Sequence, residues 1–333
     1  MNIHIRGIVE FEKILSQPWQ PSIETTRTRM SVQQLLDTQE SPDHLQKQLK
    51  TYIGHMDNMV HHLSKHHMQP LVQQPSFEWS VDDTIIHSPC WRIETILPRF
   101  ALAMALAESA QQHVGNDAFK EARKALHVQE ALHRECASKL ALWSWKLPTL
   151  NQHVLQKQWH VAQADICKGM ADLCMLCTGI QNQTATSAMY TVSQRALRHF
   201  ARALATWPTK QATDLMHVSE ALRYYYSSDI LWSHGSYGPS IHRLERWQHA
   251  ALEVGPFRLL KAELDKVPFL AHERRQTNDG AYFDIVAAAP PLPAVTELIR
   301  TPESTDTPHP ATTPSLDAAD EVAPVREVYS ETP

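Results

Sequence analysis

Apolar residues recur at three- and four-residue intervals along most of the first 270 positions, the spacing of one helical face. The clearest run is Leu45, Leu49, Tyr52, Ile53, Met56, Met59, Val60 and Leu63. Ser41-Pro42-Asp43 opens it, with proline in the first turn and an acid at the positive helix end. This predicts a six-turn amphipathic helix. Ser88-Pro89 opens a second long helix reaching about Val114, its buried face made by Trp91, Ile93, Ile96, Leu97, Phe100, Ala103, Met104 and Ala107. Gly115-Asn116-Asp117 stops that helix and caps the next, from Ala118 to about Trp145. After the break at Pro148, helices are predicted from Leu150 to about Gly179 and from about Ala188 to Trp207, parted by a polar loop at Gln181 to Thr186.

The stretch Ser219 to Leu252 predicts a pair of helices folded back through a turn holding Gly235 and Gly238, with Pro239 in the first turn of the second helix. Ala221, Leu222, Tyr225, Ile230 and Leu231 form one face of the pair, and Ile241, Leu244, Trp247, Gln248 and Ala251 the other. A single further helix is predicted through Leu259, Leu260 and Leu264 towards Leu270. Phe77-Glu78-Trp79 reads as an extended segment lying on the core. In residues 1–40 only Ile3, Ile5 and Ile8 carry a pattern, that of a short strand. The expected fold is therefore mostly α, an irregular helical solenoid with a small β element near the N-terminus.

Composition divides the chain. Nine of its 21 prolines fall in residues 287–333, together with eight acids against Arg300 and Arg326. The expected organisation is an N-terminal segment (1–40), a helical domain (41–293) and a disordered acidic tail rich in proline and threonine (294–333). The chain carries a net charge of −5, concentrated in that tail, so the body is close to neutral and lacks the basic excess that nucleic-acid binding needs. Five cysteines at irregular spacing do not form a secreted disulfide framework, and no apolar run is long enough for a signal peptide or a membrane span. These features describe a soluble intracellular protein.

Candidate chemistry is sparse. His62 and His66 stand one helical turn apart, but no nearby Asp, Glu or Cys supplies further ligands, so the histidine run reads as a polar helix end. Cys167, Cys174 and Cys177 lie on successive turns of one helix and read as small buried thiols. No phosphate-binding glycine loop, GxSxG or HExxH occurs, and neither an enzyme activity nor a cofactor nor a metal is expected. Arg195, Arg198 and Arg202 form a basic stripe along one helix face.

Five segments, in order over residues 45–293, resemble the Bro-domain family of ESCRT-associated proteins. They are Phe77-Glu-Trp79, the Ser88 to Ala110 helix, Val161-Ala-Gln-Ala164, Tyr237-Gly-Pro-Ser-Ile-His-Arg-Leu244 and Asn278-Asp-Gly-Ala-Tyr282. The resemblance implies a boomerang-shaped helical body with a tetratricopeptide-like core. It implies a non-enzymatic cytoplasmic adaptor, associated with endosomal membranes, that binds the C-terminal helix of an ESCRT-III filament subunit in multivesicular-body sorting or membrane scission. Carrying the family's groove onto this chain names Lys168, Met170, Ala171, Ala188 and Val192, with Asn116 and Lys120 at the rim. Lys168 and Ala188 depart from the family's large apolar anchors, and each lost anchor removes about 1–2 kcal/mol of binding. The alternative is a diverged helical scaffold that binds another peptide through the Arg195, Arg198 and Arg202 stripe.

Overall fold

The computed structural model describes residues 3–6, 9, 20–38, 42–65, 77–81, 84–88, 91–143, 153–246 and 257–286. All lie in the first of two units into which the chain divides, Met1–Ile299 and Arg300–Pro333. The acidic tail, Ile8, His66 and the second-helix residues Trp247, Gln248 and Ala251 lie outside the described residues.

Strand β1 (Ile3–Arg6) precedes helices α1 (Gln20–Thr38) and α2 (Pro42–Lys65). Strands β2 (Phe77–Val81) and β3 (Thr84–Ser88) follow, then α3 (Trp91–Gly115), α4 (Phe119–Trp143), α5 (Lys157–Gln181), α6 (Thr186–Thr206) and α7 (Lys210–Ser233). The end of the described chain is α8 (Tyr237–Glu245), α9 (Arg258–Asp265), α10 (Val267–Thr277) and a π turn, Asn278–Tyr282.

From α1 to α8 each helix packs mainly on its sequence neighbours, the arrangement of a helical solenoid. The strands form an antiparallel sheet in the order β1-β2-β3, with Ile5 opposite Trp79 and Trp79 opposite Ile86. These three side chains sit on one face of the sheet and are buried in the core. The extended reading of Phe77 to Trp79 holds, and both aromatic rings are fully buried.

Two expectations change. Helix α1 was not legible as a helix, because its inward face is Thr25, Thr26, Arg29, Val32 and Leu35, three of the five polar. The spacing is helical, but the apolar contrast that reveals a period is missing. The single helix expected from Leu259 towards Leu270 is instead two, broken at Lys266 ahead of Pro268, which occupies a first-turn position where its missing N–H costs nothing.

Candidate functional site

Helix α5 runs antiparallel to both α4 and α6, which flank it. Pairs across the first seam (Glu130 with Lys168, Arg134 with Asp165) and the second (Asp172 with Arg195, Asp165 with His199) show it by their opposed numbering. Each helix presents a row at three- and four-residue spacing, which places its members on one face. On α4 the row is Lys120, Arg123, His127, Glu130 and Arg134. On α5 it is Asp165, Lys168, Asp172 and Met175. On α6 it is Ala188, Val192, Arg195, His199 and Arg202.

Contacts tie the three rows into a continuous surface. Lys168 Nζ lies 3.7 Å from Glu130 Oε1, and Arg134 Nε donates to that same oxygen at 2.6 Å. Arg195 holds Asp172 with two nitrogens: Nη2 donates to Oδ1 at 2.6 Å and Nε reaches both oxygens at 3.0 Å. Arg195 Nη2 also lies 3.2 Å from Met175 Sδ. The His199 ring sits between two carboxylates, Nδ1 at 3.9 Å from Asp165 and Nε2 at 3.9 Å from Asp172. The acids are recessed and the cations rise around them: the Asp172 side chain is 8% exposed, that of Lys168 33% and that of Arg134 50%.

Burial shifts the titratable groups of this face away from their charged forms. Burial lowers the His199 pKa to about 3, helped by the nearby cations Lys168, Arg202, Arg195 and Arg198. Burial likewise lowers His127, with Arg123, Lys168 and Arg195 adding to it against Glu130. Asp165 and Asp172 are raised by burial even beside their arginines.

The structure brings some of the expected site residues together and separates others. Lys168, Ala188, Val192 and Lys120 lie on the face, and Asn116 is exposed in the turn leading into α4. Met170 does not belong to it. Two residues are about 200° of helical rotation, so Met170 points away from Lys168 and packs half-buried on the core. Ala171 is 2% exposed, a small side chain filling the packed interior, and offers nothing to a partner.

Met175, Glu130, Asp165, Asp172, His127 and His199 were missed; their three-and-four spacing with Lys168 and Arg195 was the available signal. The stripe of Arg195, Arg198 and Arg202 is real and half-buried.

Cys167, Cys174 and Cys177 are buried, and burial pushes the Cys174 thiol up to about 12, so the thiol form is held. Among the described residues no cluster of three or more His, Cys, Asp or Glu could hold a metal ion, and no helix is long and apolar enough to cross a membrane.

At the level of sequence no family model matches the chain, and neither does any curated protein. Solved structures do match. A complex of the ALIX Bro1 domain with CHMP4C superposes with a TM-score of 0.69 at 13% identity, over 89% of this chain and 91% of that one. ALIX bound to the SIVmac239 PYKEVTEDL late domain gives 0.67 at 13%, over 88% of this chain and 46% of that longer one. A structure described as the basis for endosomal targeting by the Bro1 domain gives 0.64 at 13%, over 89% and 88%. The fold of this chain is that of a Bro1 domain.

Proposed function

We propose that this protein is a non-enzymatic scaffold that docks the C-terminal helix of an ESCRT-III subunit on the face made by α4, α5 and α6. The observation that carries the reading is the continuous three-helix surface itself, with recessed carboxylates and an accessible rim, in a fold shared with a domain solved in complex with CHMP4C. Helix-in-groove docking needs apolar contacts at helical spacing within a polar surround. Val192 and Met175, both half-buried, supply the first, and the charged rows supply the second. The likeness to a Bro1 domain described in terms of endosomal targeting supports a place at endosomal membranes.

Titration of the full chain with labelled ESCRT-III C-terminal helices tests the proposal. Val192→Asp is expected to weaken binding at least about tenfold, since a charge is forced into an apolar contact. Met170→Gln, on the other side of α5, is expected to leave it within about twofold. Absence of binding by any such helix, or indifference to Val192→Asp in a folded variant, overturns it.

A further inference from the structure

We infer that Arg123 on α4 is a specificity-determining residue of the docking face: its guanidinium takes a single carboxylate, an Asp or Glu that borders the apolar side of the docked helix. This rests on the docking reading proposed above. Arg123 belongs to the outward row of α4 and is half-buried. Its Nε is enclosed by the protein and donates to nothing among the described residues. Its two Nη atoms make no hydrogen bond there either, and solvent reaches them.

The acids of the face are engaged elsewhere. Arg195 holds both oxygens of Asp172 at 2.6–3.0 Å, Arg134 and Lys168 share Glu130 Oε1, and Arg134 reaches Asp165 at 3.8 Å. Asp172 comes near enough for its charge to feel Arg123 through space, behind the stronger effects of burial and of Arg195, but the two form no ion pair. An enclosed nitrogen without an acceptor is a cost to the fold. What it secures is orientation. With Nε turned inward, the guanidinium presents its Nη edge to solvent, and that edge grips a carboxylate with two parallel N–H donors.

The helix register sets this fork beside the apolar contacts. Continuing the α4–α5 pairing from Arg134–Asp165 through Glu130–Lys168 brings Arg123 level with Met175. Continuing the α5–α6 pairing from Asp172–Arg195 brings Val192 to the same level. Arg123, Met175 and Val192 therefore line up across the face. A helix that lays an apolar residue on Met175 and Val192 turns its adjoining position, about 100° round the axis, towards α4. An Asp or Glu there meets Arg123. A carboxylate suits the setting better than a phosphate, because Asp172 and Glu130 stay close by and repel a second negative charge.

Titration of the full chain with a labelled ESCRT-III C-terminal helix, its Asp and Glu residues changed one at a time to Asn or Gln, tests the inference. Arg123→Met keeps the apolar stem and is expected to weaken the unaltered helix about tenfold, while Lys124→Met, its exposed neighbour, stays within about twofold. One acidic position of the helix should cost about tenfold against the unaltered chain and less than about twofold against Arg123→Met. Arg123→Met should also leave the urea midpoint unchanged or raised, since it removes an unbonded enclosed nitrogen and strands no acid. A residue of purely structural role would lower it.

Binding unaffected by Arg123→Met, equal losses with Lys124→Met, or the lack of any acidic position that couples to Arg123 overturns the inference. So does weakened binding that comes with a lowered urea midpoint. A helix lost with Val192→Asp but indifferent to Arg123→Met removes the arginine's role and keeps the docking face. Failure of every helix to bind removes both.

Discussion

Gly169 on α5 lies directly under the ring of Phe200 on α6: a Cβ at position 169 would stand 2.5 Å from Cζ and 2.6 Å from Cε1. The absence of a side chain there lets the two helices close, and the seam beneath the charged rows depends on it. Because Phe200 is fully buried, its ring has nowhere to go. Gly169→Ala is expected to destabilise the protein by about 1–3 kcal/mol in urea titration, the usual cost of overpacking. Phe200→Leu makes room, so the double variant should lose at least about 1 kcal/mol less than the two single losses combined. Strict additivity would show that the two positions do not press on each other.

The pH dependence follows from three buried histidines. Burial lowers His199 to about 3 and His160 to about 4, and it lowers His133 well below its ordinary 6.5. His133 and His160 face each other with their Nδ1 atoms 3.0 Å apart, while His160 Nε2–H donates to the Val154 carbonyl at 2.8 Å. Only one Nδ1 can carry a hydrogen, so the two rings cannot both be protonated, and burial favours the neutral form of each.

Groups with lowered pKa contribute stability that is complete above about pH 6.5 and lost as the pH falls towards their folded values. Each histidine removes roughly 1.4 kcal/mol per pH unit in that window. The raised carboxyls of Asp165 and Asp172 act in the opposite sense, their contribution being present below 3.8 and lost as the pH rises. Urea midpoints should therefore decline below about pH 6.5. His160→Gln, which keeps a donor for Val154, should flatten the slope between about pH 6 and 4 by one histidine's share. An unchanged slope would mean that His160 is protonated in the fold.

Legibility in the sequence tracked apolar contrast. Helices α2 to α7 could be read because Leu, Met, Phe and Trp mark their inner faces, and the turn at Gly235, whose φ is +76°, because glycine tolerates that angle. Helix α1 could not, since Thr25, Thr26 and Arg29 face inward and their burial depends on partners distant in sequence. The candidate face was only partly legible for a similar reason. Lys168, Ala188 and Val192 came from a resemblance, which transfers positions but not rotations, and so carried Met170 and Ala171 with them. The pairing of Asp172 with Arg195 crosses 23 residues and two helices, and nothing local announces it.

Two of the family-like segments turn out to be one structural unit. Tyr237 stacks on Tyr282 with ring centroids 3.8 Å apart and planes at 11°, and Gly238 N donates to Asp284 Oδ2 at 2.8 Å. Asn278 closes the same loop, its Nδ2 donating to the Asp284 carbonyl and its Oδ1 accepting from the Asp284 amide. A Cβ on Gly238 would meet the Ile285 carbonyl oxygen at 1.9 Å, and backbone cannot rotate aside as a side chain can. Gly238→Ala should release residues 283–286 from α8. Amide exchange at Asp284 is expected to accelerate at least about tenfold while the α4–α6 amides hold their protection. Unchanged exchange there would show that the segment is not held through Gly238.

The strongest stability prediction concerns Glu94, which is completely buried on α3 and joins three other elements. Arg29 Nε from α1 donates to Oε1 at 2.9 Å, Tyr52 OH from α2 donates to the same oxygen at 2.5 Å, and Trp79 Nε1 from β2 donates to Oε2 at 2.6 Å. The Arg29 side chain is itself only 2% exposed, so the carboxylate is its principal counter-charge. Glu94→Ala leaves a guanidinium in the core without that charge and two further donors without their acceptor. The expected loss is about 3–5 kcal/mol, a large share of the roughly 5–15 kcal/mol a domain has.

Glu94→Gln keeps the volume but replaces one acceptor oxygen with a donor amide facing another donor, so it should cost nearly as much. Arg29→Met combined with Glu94→Gln removes the stranded charge and should recover part of the loss. Tyr52 and Trp79 limit that recovery, because each still needs an acceptor. Denaturation monitored by tryptophan fluorescence, with Trp79 beside the change, reads all three variants. A cost below about 1 kcal/mol for Glu94→Gln would show that shape and not charge holds α1, α2 and the sheet onto α3.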